Sequence, residues 1–196
     1  MAASVEALNA EESLAEYKHR EGINRLGLWL FIGSEVFLFV AIGISRAILW
    51  NGTRPDLEQL PALVLTLALL LSSFFMNRAE TAVAYGDRRN FLTGILITIV
   101  LGTIFFLGVI FVEWPLSGLS PSENIYGAVF FFMTGMHAFH VLTGVIFLII
   151  IYRNGRKGLF TPQRHFPVEA AAVYWHFVDL VWFFFYTSIY IMGRPI

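Results

Sequence analysis

Apolar residues run through this chain in five long blocks, at roughly Leu26–Trp50, Pro61–Tyr85, Phe91–Trp114, Ile125–Tyr152 and Glu169–Gly193. Within each block they are continuous rather than alternating, which favours helices over the period-two strands of a membrane barrel. Every block reaches the ~20 residues needed to cross ~30 Å of hydrocarbon at ~1.5 Å per residue. The pattern predicts an all-α, polytopic membrane protein with five transmembrane helices in one bundle. Local punctuation agrees. Pro61 and Pro167 suit a first helical turn, Trp114-Pro115 is expected to end the third span, and Ser120 with Glu123 has capping-box spacing ahead of the fourth. Trp29, Trp50 and Trp114 fall near block ends, where interfacial aromatics belong.

Residues 1–24 depart from this pattern and read as a soluble, Ala/Glu-rich arm. Asn9 and Glu12 have capping-box spacing, and Gly22 is expected to close a short helix. No basic segment leads into an apolar one there, so no cleavable signal peptide is expected. Residues 25–196 show no internal repeat and are expected to form one membrane domain.

Composition sharpens the class. With 57% hydrophobic and 14% charged residues, the chain has too little charge to cover a soluble domain of its length. A net charge of −1 gives no footing for nucleic acid. Cysteine is absent, which removes disulfides, thiolate-held metals, iron–sulfur clusters and covalently attached c-type haem. Position matters more than total charge. One set of span ends and loops carries Lys18, Arg20, Arg25, Arg78, Arg88, Arg89, Arg153, Arg156, Lys157 and Arg164, whereas the other carries Arg46, Arg54 and Arg194. Ten cations against three predict a cytoplasmic N-terminus and an outward C-terminus.

Against this background the polar groups inside the spans become candidates for chemistry, because an ionisable group in hydrocarbon costs several kcal/mol unless partnered. Glu35 lies in the first block, His137 and His140 in the fourth, and His176 and Asp179 in the fifth, within the run YWHFVDLVW at 174–182. Helical spacing puts His137 with His140 on one face, and His176 with Asp179 and Trp182 on another. Interhelical hydrogen bonding, a metal or haem site, and proton handling all remain open for these groups. Asp179 is expected to bond a neighbouring histidine, and Glu113, ahead of Trp114 and Pro115, is expected to be solvated or interfacial. The tripeptide Asn51-Gly52-Thr53 matches a glycosylation sequence but abuts a span and is read as coincidence.

Several segments carry a family likeness. EAAAVYWHFVDLVWFFFYTSIYIMG (169–193), which includes Trp175, is similar to the last helix of subunit III of haem–copper oxidases. GMHAFHVLTG (135–144) resembles that family's penultimate helix, and RHFPVE (164–169) the loop between them. Glu113 matches a family glutamate after the antepenultimate helix. GLWLFIGSEVFLF (27–39) resembles the helix bearing the family's carbodiimide-reactive glutamate, which places that role on Glu35. The likeness covers about residues 25–193 and resembles the short, five-helix bacterial type, which lacks the first two of seven helices.

The resemblance implies a non-catalytic subunit of an aerobic respiratory cytochrome c oxidase, in a bacterial inner membrane. Such a subunit holds no haem or copper, those centres belonging to partner subunits. It packs beside catalytic subunit I, with subunit II in the complex and cytochrome c as electron donor. It also binds structural phospholipids and supports assembly, proton uptake and stability through turnover. Subunit III of a quinol oxidase and an accessory protein of nitric oxide reductase stay open within the likeness. Outside it stand a free b-type cytochrome using His140 and His176, and a proton-coupled carrier built on Glu35 and Asp179.

Overall fold

The computed structural model describes residues 14–196. Five helices form an antiparallel bundle: α1 (Leu14–Trp50), α2 (Gln59–Ala84), α3 (Arg88–Gly108), α4 (Ile125–Arg156) and α5 (Phe166–Tyr186). All five are long and apolar enough to cross a membrane. The apolar blocks therefore mark the spans, although the helices overrun them into polar sequence, as in the fourth, which continues past Tyr152 to Arg156. Asn9 and Glu12 lie outside the described residues. Gly22 does not close a helix, because α1 passes through it without a break; the flanking residues are good helix formers and outweigh one glycine.

The ends are fixed by identifiable groups. Asp87 caps α3 by accepting from the Asn90 amide at 3.0 Å. This bond, with a second from the Asn90 side chain, holds the Asp87 carboxyl below the usual aspartate range. Asn124, rather than Ser120 with Glu123, caps α4 by accepting from the Gly127 amide at 2.8 Å. Arg88 at the start of α3 donates to the carbonyls of Gly155 and Arg156, closing the far end of α4.

The third span ends at Leu116, one residue past the Trp114-Pro115 pair expected to close it. After Gly108 the chain makes a π-helical turn, Val109–Glu113, then a further α turn, Trp114–Leu116. Pro115 has no amide hydrogen, and in an α-helix its ring would collide with the Phe111 carbonyl; a wider turn accommodates it. A second π-helical turn, Thr187–Ile191, follows α5.

The core lies among α2, α3, α4 and α5, and α1 leans on its edge. Half of the central stretches of α4 and α5 is buried, against 17% for α1. α1 is held at mid-length by the buried Phe39, which packs on Phe177 and Phe185, and by polar contacts on either side of it. On the N-terminal side, Arg25 Nη2 lies 2.8 and 2.9 Å from the two carboxylate oxygens of Glu169 on α5. Near its finish, the buried Arg46 donates to the Met192 carbonyl at 2.6 Å. There β1 (Thr53–Arg54) also pairs in parallel with β2 (Arg194–Pro195).

Candidate functional site

Glu35 projects from the middle of α1 toward α4, where His140 meets it: Nε2 lies 3.0 Å from Oε2. The other ring nitrogen of His140, Nδ1, is 2.7 Å from the Met136 carbonyl. A carbonyl only accepts, so Nδ1 carries a hydrogen. The Glu35–His140 contact then needs one more proton, held as a carboxylic acid donating to Nε2 or as an imidazolium donating to a carboxylate. Either way the pair is neutral overall. Removing that proton would set a carboxylate against a lone pair and open the contact.

The pair lines a cleft of about 670 Å³ between α1, α4 and α5, whose other walls include Phe31, Phe139, Phe147 and Tyr174. Polar groups extend the network. Thr143 Oγ1 and Tyr174 Oη are 2.9 Å apart and both reach the His140 carbonyl, so their two hydrogens serve two of these three contacts at a time. Glu35 keeps 17% of its side chain exposed, so the carboxyl opens into this mainly apolar cleft.

His137 goes elsewhere. It points into the core, fully buried, with its ring 5.5 Å from Phe105 and 4.8 Å from Trp182. Neither of its nitrogens has a hydrogen-bond partner among the described residues. Helical spacing brought the two histidines near one face, but three residues turn the helix through about 300°, and the remaining ~60° separates core from cleft.

The α5 group does share a face, and that face meets α2. Trp175 Nε1 donates to Ser72 Oγ and Trp182 Nε1 to Thr66 Oγ1, both at 2.9 Å. His176 Nδ1 lies 2.5 Å from Ser73 Oγ. Asp179 is 4% exposed and interacts with the Ser73 hydroxyl, yet neither carboxyl oxygen makes a full hydrogen bond. The expected bond from Asp179 to a histidine is not formed. α5 turns Asp179 toward α2, and the histidine on α4 is taken by Glu35 instead.

Glu113 is also corrected. It is 4% exposed rather than solvated, and Tyr190 Oη donates to its Oε1. Burial follows from the π-helical turn, which swings this position inward. Sequence reasoning did not foresee Tyr190, Ser72, Ser73 or Thr66. A Ser-Ser pair inside the run LALLLSSFF was the available signal, since hydroxyls there need acceptors or donors on a neighbouring helix.

For the haem reading, both nitrogens of His140 are already engaged, whereas His176 meets Ser73 through Nδ1 only, which leaves its Nε2 for other contacts. Among the described residues no group of three or more His, Asp or Glu side chains is placed to hold a metal ion.

Five apolar helices with carboxyl–histidine and carboxyl–phenol contacts between them define a multi-pass α-helical membrane protein. Residues 11–194 match the family model described as cytochrome c oxidase subunit III. The chain is 38% identical over 190 residues to "Cytochrome c oxidase subunit 3" of Mammuthus primigenius, covering 89% of this chain and 71% of that one. The same-named protein of Marchantia polymorpha is 38% identical over 187 residues, covering 86% and 68%. That of Emericella nidulans is 37% identical over 191 residues, covering 89% and 69%. The chain belongs to the cytochrome c oxidase subunit III family.

Proposed function

We propose that this chain is the non-catalytic subunit III of an aerobic respiratory cytochrome c oxidase. It would pack against catalytic subunit I, with subunit II in the same complex; haem and copper reside in those partners, and cytochrome c is the donor. Its work is to support assembly, to hold phospholipid, and to keep proton uptake and turnover stable. The observation that carries the finer reading is the Glu35–His140 pair, which keeps one exchangeable proton at the wall of an apolar cleft. An acyl chain fits such walls, and a neutral pair lets an acid sit beside it at low cost. His137, His176 and Asp179, with Trp175, Trp182 and Glu113, would fix the helices that form the cleft.

In this reading residues 1–24 serve as a soluble arm and 25–196 as the membrane domain. The cation asymmetry supports a cytoplasmic N-terminus. A bacterial inner membrane is proposed from the likeness to short family members, while the relatives named above are eukaryotic.

The test is purification of the tagged chain from its native membranes in mild detergent, with partners identified by mass spectrometry. A haem-bearing, many-span subunit together with a copper-bearing cupredoxin-like subunit is expected. A partner lacking that copper site would move the chain to a quinol oxidase, and recovery of the chain alone would end the oxidase reading.

A further inference from the structure

The bundle end that carries the C-terminus holds an acid unconnected with the cleft. Glu113 closes the first π-helical turn and Tyr190 lies in the second, so the two widened turns meet through these side chains. Wide turns of this kind concentrate at functional positions. Tyr190 gives its one proton to Glu113 Oε1, which leaves Oε2 to find a partner elsewhere, and no atom of the described residues supplies it. The other titratable groups nearby are Tyr186, stacked on Tyr190 at 5.3 Å, and Glu58 at the N-cap of α2. No arginine or lysine among the described residues bonds to Glu113. A carboxylate buried so fully without a cation is costly.

Beside the pair lies a cavity of about 10 Å³, bounded by Leu57, Glu58, Pro61, Leu116 and Ser117. That is close to the smallest space that accepts one water, and the carboxyl, phenol and hydroxyl around it supply polar partners. Glu58 is exposed, so the cavity runs from a buried acid to the aqueous edge of the bundle.

We propose that Glu113 and Tyr190 form a proton-binding site, served by one water in this cavity and open to the aqueous phase through Glu58. Uptake adds one proton from hydronium to Glu113 Oε2 and returns a water; no electron moves and no other covalent bond changes. Tyr190 positions the carboxyl by holding Oε1, and Glu58 passes the proton. The site lies at the opposite end of the spans from the Arg25–Glu169 contact, so it exchanges protons with the side that bears the C-terminus.

Infrared difference spectroscopy on the detergent-purified protein, with whatever subunits accompany it, tests this. Wild type minus Glu113→Gln should show a protonated carboxyl C=O band at neutral pH, and transfer to heavy water should shift it within minutes. Tyr190→Phe should move the same band to higher frequency by removing its hydrogen bond. Glu58→Ala should slow the isotope shift about tenfold, the effect of losing one hydrogen-bonded step. A missing carboxyl band, a band that resists heavy water for hours, or exchange unchanged by Glu58→Ala would each overturn the proposal. Should Glu113→Gln fail to fold, Tyr190→Phe against wild type reads the same band, and no displacement would be equally fatal.

Discussion

At residue scale the useful contrast is between two histidines one turn apart. His140 has a partner on each nitrogen, whereas His137 has none among the described residues. Replacing a buried polar group that bonds to nothing with an apolar ring of similar size is neutral or stabilising. His137→Phe should therefore leave the thermal midpoint of the purified protein unchanged or raised; a marked fall would reveal a polar role for this ring. Glu35→Gln should abolish labelling by a hydrophobic carbodiimide while leaving initial oxidase turnover nearly intact. Labelling that survived the substitution would put the reactive acid elsewhere. Outside the spans, the Asp87 cap sets a pH dependence. Its folded value lies below its unfolded one, so the cap stabilises the α2–α3 turn above the ordinary aspartate range. That support is lost as pH falls through the lower folded value. The protection of the Asn90 amide against exchange, taken relative to its intrinsic rate at each pH, should fall on acidification, and Asp87→Asn should flatten that response.

At the scale of elements, two tryptophans on α5 organise the bundle. Trp175 bonds to Ser72 on α2 and packs where α3 and α4 present Gly102 and Gly144. A Cβ at Gly102 would lie 2.8 Å from one ring carbon of Trp175 and nearer still to another. Gly102→Ala should cost about 1–3 kcal/mol through overpacking, read as a lowered midpoint for unfolding in detergent. Gly43→Ala on α1 is the control, since nothing lies within 4 Å of its added Cβ. It should be neutral or slightly stabilising, and equal losses at both positions would refute the packing argument. The glycines themselves were visible in the chain; their pairing with Trp175 was not, because periodicity assigns a residue to a face without saying which helix meets that face.

For the whole molecule, the loosely packed α1 makes the cleft, and its fastenings along its length set the opening. The Arg25–Glu169 contact is partly exposed and contributes only what surface pairs do, about 0.2–1 kcal/mol. Its geometric effect is larger than its energy. Glu169→Arg should widen the spin-label distance between the starts of α1 and α5, and the paired change Arg25→Glu with Glu169→Arg should restore it. An unaltered distance in the single variant would show that the contacts of Glu35, Phe39 and Arg46 hold α1 without it.

Five spans, their lengths, the crowding of cations at one set of ends and the candidate polar residues were all determined by the sequence, since hydrophobic length and charge placement are local properties. Tertiary structure alone decided which partner each polar group took. Glu35 found His140 rather than His137, Asp179 faced Ser73 rather than a histidine, and Glu113 turned inward to Tyr190. Those choices depend on how helices rotate against one another and on a π-helical turn that displaces later positions around the axis. A rotation of ~60° exchanges core for cleft, and hydrophobic patterning around an almost wholly apolar helix is too flat to fix that angle.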